Sequence, residues 1–84
     1  MVRLDGIIFG ATKYVIVSPT VGTFRSVDLG EGTHVIAGQT VGMLDGPGTS
    51  IPVESPFAGR LVGMLAHPGE RIREGQPIAW LRVI

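Results

Sequence analysis

The residue types that could do chemistry are few in this sequence and scattered along it. There are two histidines, His34 and His67, and no cysteine. A metal site needs several ligands that converge, and neither histidine has a partner at a ligand spacing. His67-Pro68-Gly69 is typical of a turn. We therefore predict no metal site and two partly exposed histidines.

The carboxylates and hydroxyls show no catalytic spacing either. Ser18 and Ser55 each precede a proline, and no Gly-x-Ser-x-Gly sequence surrounds them, so a hydrolase is not indicated. Gly46-Pro47-Gly48 is not followed by a predicted helix, which argues against a phosphate loop. Nothing in the spacing of the acidic residues requires an acid–base pair. These acidic residues, which we expect on the surface, are Asp28, Glu31, Asp45, Glu54, Glu70 and Glu74.

Composition and charge narrow the classes of partner. The chain has 84 residues, of which 44% are hydrophobic and 17% charged, so we expect a single folded domain. Its formal net charge is zero, which argues against nucleic acid or an anionic membrane as a partner. The start, MVRLDGIIFG, does not resemble a secretory signal, so the expected compartment is the cytoplasm. There are six arginines but a single lysine, Lys13.

The elements that must position these residues are short β-strands. Thirteen glycines and six prolines leave no window with a helical period. Apolar, β-branched runs bounded by Gly and Pro predict eight strands instead. Their expected ranges are Tyr14–Val17, Gly22–Val27, His34–Ala37, Thr40–Leu44, Ile51–Val53, Gly59–Leu65, Arg71–Arg73 and Pro77–Val83.

The sequence repeats itself at a constant offset of 37 positions without a gap. Paired Gly, Pro, Gln and apolar residues at one offset indicate two copies of a four-strand unit, about residues 15–45 and 52–82. Neither copy can bury its apolar face alone, so a quasi-twofold domain over residues 14–84 is predicted. The matched positions include Ser18-Pro19 with Ser55-Pro56, Gly22 with Gly59, Gly32 with Gly69, and Gly38-Gln39 with Gly75-Gln76.

The repeat also predicts the core. The pairs Val35/Ile72, Val41/Ile78 and Leu44/Leu81 should supply equivalent halves of it. Met43 and Met64 are expected to fill gaps, and Trp80, at the repeat position of Met43, is expected to close the core rather than serve as a binding anchor. Residues 1–13 are read as an extension or extra strand. The apolar Ile7, Ile8 and Phe9 there suggest an edge cover or pairing with a second copy.

This motif set resembles the biotinyl/lipoyl carrier domain family. The Ser-Pro-x-x-Gly start, the Gly-x-x-Val-x-x-Gly-Gln turn and the second copy of both occur in the family's order from about Tyr14 to Val83. The resemblance implies an all-β fold, a flattened β-barrel or sandwich of two four-stranded antiparallel sheets with quasi-twofold symmetry. The stretch IPVESPFAG favours the biotin branch, as in biotin carboxyl carrier proteins.

In this family a modified lysine lies at the tip of the hairpin that joins the two halves. Counting back from IPVESP puts that position on Gly48, which has no side chain and cannot form the amide. The family's acidic residue before the tip falls on Asp45, and Lys13 is expected at the opposite end of the domain. The tip residues are Asp45, Gly46, Pro47, Gly48, Thr49 and Ser50. We therefore expect no attached biotin or lipoate.

The expected function is a non-catalytic, carrier-like binding or structural module within a carboxylase-type or other acyl-transfer complex. One alternative is a component of a biotin-dependent carboxylase system whose prosthetic group is carried by another protein. A second alternative is a small-ligand-binding barrel, which no group of residues in the sequence supports. The expected partners are protein subunits of such a complex, with self-association through the N-terminal segment as a further possibility.

Overall fold

A computed structural model describes residues 12–83 of the chain. All eight predicted strands are present, and the Gly- and Pro-rich segments between them form turns. Strand β1 begins at Thr12, two residues before the predicted start of the domain, while β4 and β5 extend further toward each other than predicted. The strands are β1 Thr12–Val17, β2 Gly22–Ser26, β3 His34–Val35, β4 Thr40–Gly46, β5 Thr49–Glu54, β6 Gly59–Met64, β7 Arg71–Ile72 and β8 Pro77–Val83.

The strands form two four-stranded antiparallel sheets. Sheet A has the order β1-β8-β6-β3 and sheet B the order β5-β4-β2-β7. Adding 37 to a residue number converts β1 into β5 and β3 into β7, and it relates β4 to β8 and β2 to β6. The two sheets are therefore copies of one arrangement, as the all-β, quasi-twofold prediction requires. No helix that could span a lipid bilayer occurs in residues 12–83.

The pairing register obeys the same offset. All six cross-strand pairs of β1 with β8 match those of β5 with β4, from Thr12↔Val83 and Gly46↔Thr49 at one end to Val17↔Pro77 and Thr40↔Glu54 at the other. The two sheets differ at Val62, where β6 has an irregularity against β8 that β2 lacks against β4. A bulge inserts one extra residue into a strand and so changes the side of the sheet on which the side chains of the following residues lie.

The two sequence halves interlock because each sheet takes two strands from each half. The backbone N–H of Ser18 donates to the carbonyl of Gln76 at 2.9 Å, and that of Ser55 donates to the carbonyl of Gln39 at 2.8 Å. These are the same bond related by the 37-residue offset. Neither half could satisfy these backbone groups alone, which supports one cooperative unit.

The core lies between the two sheets and contains all three predicted pairs. Met64 packs against it as expected. Buried throughout are Ile16, Phe24, Val35, Val41, Leu44, Val53, Leu61, Ala66, Ile72, Ile78, Ala79 and Leu81.

The prediction that Trp80 closes the core is wrong, because 39% of this residue is exposed. Ala79 and Leu81 on either side of it are buried, so strand alternation sends the indole to the outer face of sheet A. Met43 holds the equivalent place on β4 and is also outside the core cluster. The segment with Ile7, Ile8 and Phe9 lies outside the described residues, so the predictions made for it stay predictions.

Candidate functional site

The β4–β5 hairpin joins the two halves and ends in a two-residue turn. Gly46 pairs with Thr49, which leaves only Pro47 and Gly48 as the connection. The φ angle of Gly48 is +69°, and proline holds its own φ near −65°. This is the pattern of a type II turn, with Pro at the first central position and Gly at the second. The tip is therefore closed by residues chosen for backbone geometry.

A polar network fastens the hairpin just below this turn. Arg25 on β2 donates from Nε to Asp45 Oδ2 at 2.8 Å and from Nη2 to Ser50 Oγ at 2.9 Å. The Ser50 hydroxyl in turn donates to Asp45 Oδ1. The network spans three neighbouring strands of sheet B. Type II turns fit the twist of a hairpin poorly, so such cross-strand bonds help to hold the strands together beneath the tip.

The same network sets the charge of the tip. The hydrogen bond from Arg25 and then that from Ser50 lower the pKa of Asp45 to about 2. Both bonds favour the carboxylate over the carboxylic acid. Asp45 is therefore an anion at neutral pH that is already paired within sheet B. It is a structural group of the hairpin and is not poised to exchange a proton.

The outermost part of the tip is open. A Cβ atom added at Gly48 would meet no atom within 4 Å, so a larger side chain would have space there. The positive φ of Gly48 would nevertheless strain any residue with a Cβ. The side chains of residues 45–50 supply one carboxylate and two hydroxyls and contain no amine.

Lys13, the single lysine, lies away from the tip. Residues 18–21 connect β1 to Gly22, and Thr23 next to it pairs with Asp45 beneath the tip. The C-terminal end of β1 is thus near the tip end of the molecule, while Lys13 is near the start of that strand. Its cross-strand partner is Arg82. The predicted separation of Lys13 from the tip agrees with this topology.

The other candidate side chains do not converge. Nε2 of His34 accepts a hydrogen bond from Arg60 at 2.9 Å, while the backbone of His67 donates to Glu70 Oε1 in a turn. Ser18 and Ser55 are buried, and each hydroxyl donates to the carbonyl two residues ahead. Over the part of the chain that the structure describes, no group of His, Asp and Glu could hold a metal ion and no pocket is present.

Sequence reasoning missed the role of Arg25. Asp45 and Ser50 lie opposite each other because a two-residue turn joins their strands, and Pro47-Gly48 indicates such a turn. The position of Arg25 depends on the register between β2 and β4, which are not joined by a tight turn. The single signal available was the 37-residue offset, and it pairs Arg25 with the apolar Val62.

The comparison with known families agrees with this architecture. The family described as biotin-requiring enzyme, which covers biotin- and lipoyl-carrying domains, matches residues 14–81. The chain belongs to the biotin/lipoyl domain family. The match covers both repeats and the hairpin between them, so the resemblance inferred from the motifs is confirmed. A comparison with curated protein sequences found no match.

Two solved structures have the same fold as this biotin/lipoyl domain. A single-chain, multi-domain long-chain acyl-CoA carboxylase is 23% identical, with a TM-score of 0.79 over 100% of this chain and 8% of that one. The urea carboxylase of Kluyveromyces lactis is 23% identical, with a TM-score of 0.76 over 83% of this chain and 6% of that one. The chain thus spans only a small part of the length of either carboxylase.

Proposed function

We propose that this biotin/lipoyl domain is a non-catalytic docking or structural module of a carboxylase-type assembly, and that it carries neither biotin nor lipoate. The observation that carries the proposal is an open, well-formed hairpin tip with no amine on it. Attachment of either group forms an amide with a side-chain amine. The tip residues do not fit a covalently carried biotin or lipoate.

Gly48 is the residue that stands, in this proposal, where family members have their lysine. The count from IPVESP supports it, and so does the place of Gly48 at the outermost turn of the hairpin between the halves. The acidic position before the tip falls on Asp45, whose carboxylate is already held by Arg25 and Ser50. The tip would then be kept for its shape while the attachment chemistry is lost.

The rest of the scaffold is what a docking role needs. The same six-pair register occurs in both sheets, and the core is continuous between them. A domain kept in this form presents a fixed surface to a larger protein. Partners that recognise a carrier domain by its sheets and hairpin could then bind it without a prosthetic group.

The likeness to two carboxylases supports a carboxylase-type assembly as the setting. A second candidate follows from the same likeness: the chain is a component of a biotin-dependent carboxylase system in which another protein carries the biotin. Other acyl-transfer complexes fit the family equally well. A small-ligand-binding barrel is less well supported, because residues 12–83 enclose no pocket.

Two measurements on the full chain test the proposal. The intact mass after co-expression with a biotin ligase or a lipoate ligase should equal that of the unmodified polypeptide, and a gain of either group's mass would overturn the claim of an empty carrier. Affinity capture from the source cell should recover subunits of a carboxylase or related acyl-transfer complex. Capture that is reproducible but contains no such subunit would overturn the assigned setting.

A further inference from the structure

Four basic side chains lie in one row across the outer face of sheet A. Lys13 pairs with Arg82, Arg82 with Arg60, and Arg60 with His34, so the row crosses all four strands. Strands in a sheet are about 4.8 Å apart, so this basic row is about 14 Å long. All four residues are exposed.

The basic row has no acidic partners within the described part of the chain. The one ion pair formed among residues 12–83 joins Arg25 and Asp45 on the other sheet. His34 accepts a hydrogen bond from Arg60, because a guanidinium can only donate. Like charges directly opposite each other destabilise a sheet. The row therefore has a cost to the fold, and no ion pair among residues 12–83 offsets it.

Sheet B shows that the fold does not require this charge. The equivalent row there consists of Ser50, Asp45, Thr23 and Arg71, in the same strand order and register. It contains one acid and one base and is neutral overall. Since the two sheets share one architecture, the basic row is specific to the outer face of sheet A.

An apolar strip lies directly beside the basic row. Trp80 pairs with Val15 on β1 and with Gly63 on β6, and 39% of the tryptophan is exposed. Gly63 leaves room along one edge of the indole, since even an added Cβ there would be 3.9 Å from Trp80 Cδ1. Tryptophan and arginine, here Trp80 beside Arg82 and Arg60, are among the residues enriched at protein interfaces.

We propose that the outer face of sheet A is a docking surface for an acidic amphipathic helix of a protein partner. The steps of the basic row, about 4.8 Å, are close to the 5.4 Å rise of one helical turn. Carboxylates three and four residues apart would meet successive basic side chains, and an apolar stripe beside them would cover Trp80 and Val15. An extended strand presents same-face residues about 6.6 Å apart and fits the row less well.

That the partner of this surface is a protein rests on the proposed function. The two can fail separately, because a peptide titration reports on the face of sheet A alone. Mass measurement and affinity capture report on the hairpin tip and the parent assembly. A protein that binds an acidic helix and also becomes biotinylated would overturn the proposed function and leave the docking surface in place.

The fluorescence of Trp80, the single tryptophan of the chain, provides the readout. The probe is a synthetic helical peptide, longer than about 15 residues, with Glu at successive helical turns beside a stripe of Leu. We expect it to change the Trp80 emission in a salt-sensitive way, while the same peptide with Gln for Glu does not. The double variant Lys13→Gln/Arg82→Gln should weaken binding about tenfold.

A matched control is Arg71→Gln/Arg73→Gln, which removes the same amount of charge from exposed residues on and beside β7. It should bind the Glu peptide as the unaltered protein does. Equal losses in both double variants, or no binding of the Glu peptide, would overturn the proposal. Tighter binding of a single-stranded oligonucleotide than of the peptide would also overturn it, in favour of nucleic acid. Amide chemical-shift mapping on the unaltered protein, which needs no variant, should confine the changes to sheet A.

Discussion

A Cβ atom on Gly59 would clash with the carbonyl oxygen of Arg82. Gly59 lies on β6 and Arg82 on the neighbouring strand β8, and the Arg82 backbone cannot move away from an added Cβ as a flexible side chain would. Gly59→Ala should therefore destabilise the fold by about 1–3 kcal/mol. Gly63→Ala on the same strand is the control, because its Cβ would be 3.9 Å from the nearest atom and should change stability by at most about 0.5 kcal/mol. Urea denaturation measures both, and equal losses would contradict the close approach.

The buried hydroxyls of Ser18 and Ser55 test the quasi-twofold relation. The Ser18 hydroxyl donates to the carbonyl of Thr20, and the Ser55 hydroxyl donates to that of Phe57. Replacing either serine by alanine would remove this hydrogen bond from the carbonyl. Ser18→Ala and Ser55→Ala should each lower the free energy of unfolding by about 1 kcal/mol. The exposed Ser26 on β2 serves as the reference, and Ser26→Ala should have little effect. A large loss at one serine and none at the other would contradict the equivalence.

Trp80 and Leu81 should respond very differently to truncation. Leu81→Ala removes a fully buried side chain and should cost about 2–5 kcal/mol. Trp80→Ala should cost no more than about half of that, because the indole lies on the outer face of sheet A. Acrylamide should quench Trp80 readily in the folded protein. Resistance to quenching, together with a loss of stability equal to that of Leu81→Ala, would show that Trp80 belongs to the core.

The Arg25–Asp45–Ser50 network predicts a pH dependence. The pKa of Asp45, about 2, is below its ordinary value of 3.8, so its carboxylate stabilises the folded state above pH 3.8. That contribution is lost as the pH falls through about 2. The difference in stability between the unaltered protein and Asp45→Asn should therefore be present at neutral pH and vanish in strong acid.

An NMR titration of the side-chain carboxyl gives the pKa of Asp45 directly. Arg25→Gln should raise this pKa toward its ordinary value, and Ser50→Ala should raise it less, because the bond from Arg25 is the larger cause. If the pKa of Asp45 remains at about 2 in the Arg25→Gln variant, the role of Arg25 is contradicted. The control is Arg73→Gln, an exposed arginine that is not part of the network.

Much of the fold could be predicted because the sequence contains the same four-strand unit twice. The offset of 37 positions, read from matched Gly, Pro and apolar residues, is the same offset that relates β1 to β5 and β4 to β8. Turns such as Pro47-Gly48 encode their own geometry locally. The hairpin, the strand positions and the paired core residues therefore follow from local chemistry and the repeat.

The features that were missed depend on side-chain facing and on register between strands distant in sequence. The run Ile78-Ala79-Trp80-Leu81 is apolar throughout, so it gives no alternation from which the outward facing of Trp80 could be read. Arg25 meets Asp45, and Arg82 meets Arg60, through registers that no short turn fixes. These contacts exist only once the sheets have assembled.

The intact mass of the protein and of two tip variants tests most directly the claim that this is a carrier fold without its attachment residue. After co-expression with a biotin ligase, the unaltered chain should show the mass of the polypeptide alone. Gly48→Lys should gain little biotin, because the flanking residues Pro47 and Thr49 differ from those of biotin carriers. The triple variant Pro47→Met/Gly48→Lys/Thr49→Met should gain the mass of one biotin. Biotin on the unaltered chain, or none on a folded triple variant, would contradict the claim.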